Sequence, residues 1–199
     1  MLWPDILPEK SHSRLYTAIY HIRKAIAPYD NHLSLESTDE GYILYIKNSS
    51  IDLVEWEHQL SLLHQLNSEN IILFEKAMEL YSGPYLGKYD YIWAESERYR
   101  LEQLYINHAL QAARFYEQQA NYQQAIQWYF NVCNMRPDHE EAVLSLLKSL
   151  DRLDNSPLIT YYYQQLEKAM AGLQLEVDKE IKDWYMKWIR KSPAIQEKN

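Results

Sequence analysis

The sequence predicts a mainly α protein in which a helix and a β-hairpin come first and a domain of repeated helix pairs follows. Three observations predict this fold class. Apolar residues recur at three- and four-residue spacing in residues 11–26 and again through most of the chain after residue 51. Between these regions, residues 32–46 alternate apolar and polar side chains around a turn. Only 4 Gly and 7 Pro occur among 199 residues, and this composition disfavours a β-rich or disordered chain.

The first predicted helix covers residues 11–26, with the sequence SHSRLYTAIYHIRKAI. Its apolar stripe consists of Leu15, Ala18, Ile19, Ile22 and Ile26. A short turn between Pro4 and Pro8 is expected before it, and Ser11 or Ser13 is expected to cap its N-terminus. We expect Pro28 to end the helix, because proline disfavours the helical conformation at the residue before it.

A β-hairpin is predicted next, over residues 32–46. Leu33 and Leu35 belong to the first strand, and the sequence STDEG at residues 37–41 is expected to supply the turn. The second strand places Tyr42, Leu44 and Ile46 on one face, because side chains alternate between the two faces of a strand.

Helices are predicted for most of the chain after residue 51. We expect them at residues 51–66, with Asp52 near the start, at residues 69–81 before the stop signal Ser82-Gly83-Pro84, and over residues 91–119. A pattern close to the 34-residue tetratricopeptide repeat follows at Ala109, Ala112, Ala113, Tyr116, Ala120, Tyr122, Ala125, Tyr129, Val132 and Pro137. A weaker copy lies at Val143, Leu146, Leu147, Leu150, Ile159, Tyr163 and Leu166, with residues 151–158 as its turn.

The last predicted helix, residues 179–191, carries Ile181, Trp184, Tyr185 and Trp188 on one face and basic residues on the other. We interpret it as a cap that packs on the preceding repeat. The alternative is an amphipathic helix that binds a membrane or a partner.

Composition and charge restrict the function classes. The formal net charge is −8, and residues 1–50 hold five Lys/Arg against six Asp/Glu, so any DNA contact must come from a local surface. A single Cys133 suits a reducing cytoplasm, and we expect it to be a small core residue. No apolar run reaches the ~18–20 residues of a membrane span, and the N-terminus lacks the pattern of a signal peptide. The expected location is cytoplasmic, without membrane contact.

Catalytic and metal sites are not predicted. The paired carboxylates at residues 55/57, 138/140/141 and 151/154 are interpreted as solvated groups or, after Pro137, as partners of a helix dipole. His58 and His64 lie six residues apart, which is not the spacing of helical metal ligands. No phosphate-binding glycine loop is present. We expect no enzyme activity and no cofactor.

The candidate DNA-binding residues lie on the first helix. They are Ser13, Arg14, Tyr16, Thr17, Tyr20, Arg23 and Lys24. One interpretation is a surface helix with a solvated polar face. The other is a recognition helix in the DNA major groove, in which Tyr16, Thr17 and Tyr20 touch bases or phosphates and the cations contact the backbone. The hairpin that follows favours the second interpretation, because it has the length of a wing.

Two stretches of the sequence resemble known regulators. LWPD at residues 2–5, the helix that ends Ile22-Arg23-Lys24-Ala25-Ile26, and the strand that begins Gly41-Tyr42-Ile43-Leu44 resemble the second half of the winged-helix domain of OmpR-type response regulators. They are most similar to the version in SARP-type activators. The resemblance implies that this helix enters the major groove and that the hairpin is the wing.

The later part of the chain resembles the bacterial transcriptional activator domain that follows the winged helix in that group. The pattern is carried by Ala77, Leu80, Tyr81, Gly83, Leu86, Trp93, Glu97, Arg98, Arg100, Leu101, Leu104 and Tyr105. The resemblance implies a DNA-binding transcriptional regulator with a winged-helix part at residues 1–48 and a tetratricopeptide-like domain at residues 51–199. Expected partners are double-stranded DNA, RNA polymerase or another protein of the transcription machinery, and a second copy of the chain.

The sequence also departs from these regulators. The first sheet and helix of the winged-helix domain and the receiver domain are not found, so the chain is expected to be a fragment, a product of a misassigned start or a decayed copy. Asp39 and Glu40 in the wing turn would be repelled by phosphate, and Tyr20 stands where a basic residue would bind phosphate better. The alternative function is therefore a tetratricopeptide-like protein-interaction scaffold without DNA binding.

Overall fold

The computed structural model describes residues 8–63 and 65–191, with the backbone alone for residues 8–11. The predicted turn after Pro4 and the LWPD segment lie outside these residues. The chain divides into two compact units, one ending at Glu55 and the other beginning at Trp56. As predicted, the protein is mainly helical, with a small antiparallel hairpin near the N-terminus and a helical repeat-like domain after it.

The first unit opens with α1, Pro8–Ile26, followed by a 3-10 turn at Ala27–Tyr29. The predicted caps Ser11 and Ser13 are wrong, because the helix is already formed at Pro8. Proline is favoured in the first turn of a helix, where its missing N–H would have had no partner. The predicted end is confirmed, since α1 stops two residues before Pro28.

The hairpin consists of β1, Leu33–Thr38, and β2, Gly41–Ile46, paired antiparallel so that Leu35 faces Leu44 and Ser37 faces Tyr42. The predicted turn of five residues is shorter in the structure, since only residues 39 and 40 lie between the strands. Gly41 has φ +150°, a conformation that side chains rarely adopt. Burial is shallow, and the last four residues of β2 are all at least 40% exposed.

The remaining helices are α2 (Asp52–Ser61), α3 (Ile71–Glu79), α4 (Glu95–Gln118), α5 (Tyr122–Met135), α6 (Glu140–Arg152), α7 (Ser156–Gly172) and α8 (Lys179–Lys191), with a 3-10 turn at Ile92–Ala94. The helix predicted for residues 51–66 is shorter than expected. Its last turn tightens where Leu63 N–H donates to Leu60 O at 3.1 Å, and the Asn67 side chain then accepts two backbone N–H bonds in the turn that leads to α3.

The repeat core lies in α4 to α7, each of which packs against the next. The predicted small residues Ala109, Ala112, Ala113 and Ala125 have no exposed surface, which lets the helix axes approach closely. All seven apolar positions of the weaker copy are buried. The prediction that Cys133 is a core residue is also confirmed, and burial raises the pKa of its thiol to about 12.

Helix ends within the repeat follow a common plan. Asn121, His139 and Asn155 cap α5, α6 and α7 by accepting a backbone N–H from the third residue on. Ala120 after α4 and Asp154 after α6 have φ +55°, which ends each helix in the left-handed conformation. The turn predicted for residues 151–158 is correspondingly shorter, because α6 continues to Arg152 and α7 begins at Ser156.

A buried carboxylate network joins three of the repeat helices. Tyr129 of α5 and Ser149 of α6, each only 1% exposed, donate hydroxyl hydrogen bonds of 2.9 Å to the two carboxylate oxygens of Glu117 in α4. Burial and the neighbouring carboxylate raise the pKa of Tyr129. Glu117 therefore accepts from two buried hydroxyl groups, of which Tyr129 also bonds the Ser145 side chain.

The last helix packs on the repeat, as predicted. Tyr185 of α8 stacks on Tyr163 of α7 with ring centroids 3.6 Å apart, and Trp188 donates from Nε1 to Asp151 of α6 at 3.0 Å. Ile181, Tyr185 and Trp188 are buried. Within the part of the chain that the structure describes, we find no helix with the length and apolar character needed to cross a membrane.

Candidate nucleic-acid interface

The candidate interface is the solvent-facing side of α1. Successive residues of an α-helix are about 100° apart, so Ser13, Tyr16, Thr17, Tyr20 and Lys24 share one side. All five are exposed, with Tyr16 at 63% and Tyr20 at 62%. Ile19, on the other side of the helix, is buried at 8% exposure. The helix therefore presents a row of hydroxyl and ammonium groups to solvent.

Local contacts shape this row. The Thr17 hydroxyl donates to the Ser13 carbonyl at 2.9 Å, one turn back, so it is partly occupied by the helix itself. The Tyr20 ring meets the His21 ring edge-on with centroids 5.5 Å apart. Lys24 has no hydrogen-bond or ion-pair partner among the described residues and leaves its ammonium available.

Arg23 connects α1 to the hairpin. Its guanidinium donates from Nη2 to the Ser37 hydroxyl at 2.9 Å and lies over the Tyr42 ring, 5.9 Å from the centroid. Ser37 and Tyr42 are opposite each other in the hairpin, so both contacts fall on one face of it. Arg23 remains exposed and holds the hairpin beside the helix.

Arg14 stands apart from the other candidates. It is exposed, but helix geometry places it roughly 100° around α1 from Ser13 and further still from Tyr20. It has no partner within the described residues. A duplex bound to the Tyr20 side of α1 would contact Arg14 only at the margin of the interface, because the Arg14 side chain would have to bend around the helix to reach it.

The local charge of α1 is positive. From residue 12 to residue 26 the helix carries Arg14, Arg23 and Lys24 and no carboxylate. The hairpin has the opposite sign, with Glu36, Asp39 and Glu40 all exposed. An anionic ligand would thus be attracted by the helix and repelled by the hairpin turn.

The sequence does not predict Ser37 and Tyr42 as partners of Arg23. Pairing in the hairpin would have placed them opposite each other, but nothing in the spacing indicates which helix residue reaches them. Ile22 is a second difference. It belongs to the predicted apolar stripe, yet it is 42% exposed, so the described structure covers only part of that stripe.

In the second unit, Arg98 bonds the loop that precedes α4. Arg98 donates to the carbonyls of Tyr85 at 2.8 Å, Leu86 at 3.0 Å and Tyr89, and it pairs with Glu95 at 2.5 Å. Next to these residues, the rings of Tyr89, Tyr91 and Trp93 stack in a row at 5.2 and 5.4 Å and remain exposed. Among residues 8–63 and 65–191, no cluster of three His, Cys, Asp or Glu side chains could hold a metal ion.

A family model described as the bacterial transcriptional activator domain matches residues 57–187, about two thirds of the chain. The chain belongs to this family. The match begins in α2 and ends in α8, so it covers the repeat and its cap and stops short of α1 and the hairpin. Membership places the protein among transcription regulators, in a family of regulatory rather than enzymatic domains. None of the curated proteins matches the chain.

The residues that carried the resemblance to the activator domain have structural roles. Arg98 holds the loop, and Gly83 in that loop has φ +139°. Tyr81 stacks on Tyr105 with centroids 4.6 Å apart. Arg100 bridges Glu97 at 2.7 Å and Glu57 at 2.6 Å. In this activator domain, these side chains of the sequence pattern thus stabilise the junction between α2, α3 and α4.

Proposed function

We propose that this transcription regulator binds DNA through α1, with the hairpin as a wing beside it. One observation carries the proposal: residues 12–26 of α1 hold three exposed cations and no carboxylate, in a chain whose net charge is −8. Lys24 and Arg23 would neutralise phosphates, and Tyr16, Thr17 and Tyr20 would face the base edges. Ser13 lies at the start of the same row, and Arg14 would contact the backbone at its margin.

The resemblance of α1 and β2 to OmpR-type winged helices supports the same proposal. In that arrangement a helix enters the major groove while a two-stranded wing lies beside it, and here Arg23 holds the hairpin next to the helix. We extend the proposal to a regulator of the SARP or response-regulator type that acts in the cytoplasm, where its DNA target lies.

The helical domain would supply the protein contacts. We propose that it binds a component of the transcription machinery, such as RNA polymerase, or a second copy of the chain. Sedimentation equilibrium of the full chain tests the homodimer. The proposed domain limits, 1–48 and 51–199, are tested by expressing residues 51–199 alone, which should give a cooperative thermal transition and helical circular dichroism.

DNA binding is tested by selection of the full chain on a pool of random 20-base-pair duplexes. We expect enrichment of a defined motif for the wild type and a changed motif for Tyr20→Ala, because that side chain would reach a base edge. Tyr99→Ala removes an equally exposed tyrosine ring from α4 of the activator domain and is the matched control. A motif that is the same in wild type and Tyr20→Ala would contradict base contact by this residue.

A second function is favoured by the hairpin turn. Asp39 and Glu40 form its tip, and a wing tip with two carboxylates would lie against phosphates at an energetic cost. This observation favours a tetratricopeptide-like scaffold that binds proteins without DNA. Absence of duplex binding at 50 mM salt, with a cooperative thermal transition in the same sample, would select the scaffold function.

A further inference from the structure

Two cavities of the activator domain are lined in part by α5. The first, of about 330 Å³, lies between α3 and α5 and reaches Tyr105 of α4. The second, of about 220 Å³, lies between α5 and α7. Both open to solvent, and both are lined by residues of α5. Because both border α5, the two cavities and the exposed α5 surface beside them are here named the α5 groove.

Aromatic rings form much of the first cavity. Tyr81 and Tyr105 stack at 4.6 Å, and Trp128 of α5 lines the same cavity and packs edge-on against Phe74 at 6.2 Å. The faces of aromatic rings attract cations, and tryptophan attracts them most strongly. The cavity therefore offers apolar walls for an aliphatic stem and ring faces for a positive group at its end.

The charge around the first cavity is negative. Glu75 and Glu79 of α3 line it, and no Lys or Arg does. Glu102 is also close enough to raise the pKa of Tyr81, although burial is the larger cause. Glu75 accepts a hydrogen bond from Tyr116 at 2.7 Å, whereas Glu79 is exposed and has no partner among the described residues. A cation that entered would meet at least one carboxylate that is not neutralised.

Side-chain amides line both cavities. Gln124 and Gln127 line the first cavity, and Asn134 and Gln165 line the second. The Gln127 and Gln165 side chains have no hydrogen-bond partner in the described part of the chain. An amide can donate to a peptide carbonyl and accept from a peptide N–H, so a row of amides suits an extended polypeptide.

We propose that the α5 groove binds an extended segment of a partner protein whose Lys or Arg side chain enters the cavity between α3 and α5. The guanidinium or ammonium would lie against Tyr81, Tyr105 and Trp128 and pair with Glu79, while the amides hold the backbone. This proposal rests on the proposed protein-contact role of the helical domain, and it specifies the chemistry of the partner.

Synthetic peptides test the proposal with the full chain. One bead-bound library of capped heptapeptides has arginine fixed at the centre, and a second has citrulline, which is nearly isosteric with arginine but neutral. We expect labelled protein to be retained by the arginine library and the best arginine peptide to bind about fivefold more tightly than its citrulline copy, as for a partly exposed ion pair. Equal retention on both libraries, or none on either, would overturn the proposal.

Matched charge variants then locate the site. Glu79→Gln should weaken binding of the best arginine peptide by about two- to fivefold, because it removes the unpaired carboxylate of the cavity. Asp183→Asn removes the same charge from α8, outside the groove, and should bind like wild type. The melting temperatures of the wild type and the two variants should agree. Given that, the assignment would be wrong if Glu79→Gln bound the peptide as tightly as wild type. It would also be wrong if Glu79→Gln and Asp183→Asn lost the same affinity.

Two further measurements separate the other occupants. Sedimentation of wild type and Glu79→Gln tests whether a second copy of the chain occupies the groove. If wild type is a dimer and Glu79→Gln is a monomer, the partner-segment proposal is overturned. Duplex binding is measured on the same preparations. If the protein binds duplex DNA but does not prefer the arginine peptides, only the proposed role of the α5 groove is refuted, because the proposed DNA contacts lie on α1.

Discussion

Substitution of Arg23 separates two roles that the structure gives to one side chain. As a candidate phosphate ligand, Arg23 should contribute to the salt dependence of DNA binding. As the residue that bonds Ser37 and lies over Tyr42, it should also hold the hairpin against α1. Lys24 is the natural comparison, because it carries the same charge one residue later and has no contact with the hairpin among the described residues.

The expected magnitudes follow from these contacts. Each phosphate contact contributes a slope of about −0.9 to the dependence of log affinity on log salt, so one lost contact changes the affinity ratio between 50 and 200 mM salt by about 3–4-fold. The exposed hydrogen bond and the cation–π contact together stabilise the docked hairpin by roughly 1 kcal/mol. Loss of that amount would increase hairpin opening by about fivefold.

The assay combines anisotropy of a labelled mixed-sequence 20-base-pair duplex with hydrogen exchange of the β2 amides. Lys24→Ala should reduce the salt slope by about 0.9 and leave exchange unchanged. Arg23→Ala should reduce the slope equally and speed exchange about fivefold. Arg23→Lys keeps the charge but cannot reproduce the planar guanidinium, so it should keep the slope and speed exchange.

Two results would refute the reasoning. If Arg23→Ala keeps the wild-type slope while Lys24→Ala reduces it, Arg23 serves the hairpin alone. If neither variant changes the slope although the protein binds duplex, the DNA contact lies away from α1, and the proposed interface fails.

Three other predictions concern the activator domain. Glu117→Ala should lower the free energy of unfolding in urea by about 1–3 kcal/mol, because the buried Ser149 hydroxyl loses its acceptor while Tyr129 keeps its bond with Ser145; no loss would show that water replaces the carboxylate. Ala120→Gly should raise the unfolding free energy by about 0.5–1 kcal/mol, since glycine adopts φ +55° without strain, and no gain in urea melts would contradict this. Burial and a neighbouring carboxylate raise the pKa of Tyr116 to about 12 in the folded protein, so stability present below pH 10 should fall as pH rises towards 12. Thermal melts should show a shallower fall for Tyr116→Phe, and an unchanged fall would exclude this group as a cause.

The helices of this chain could be predicted from the sequence because helical periodicity is set by residues that are close together in the chain. Ile181, Tyr185 and Trp188 recur at the helical period, and one turn of helix is enough to bring them to the same side, whatever they pack against. The same holds for the small residues of the repeat, such as Ala112 and Ala125, whose spacing predicts closely packed helices. Capping is also local, yet the start of α1 was misplaced because two serines and Pro8 offered competing signals.

Contacts between elements could not be read from the sequence, because they depend on how far a side chain reaches after the helices and strands have packed. By itself, the sequence determined the fold class, the repeat and the exposed polar side of α1, all of which follow from periodicity within single elements. Only the tertiary structure showed that Arg23 bonds the hairpin, that Arg98 holds the loop before α4, that Ile22 stays exposed, and that α3, α5 and α7 leave a groove between them. These features join residues 9 to 90 positions apart, and sequence spacing carries no information on such distances.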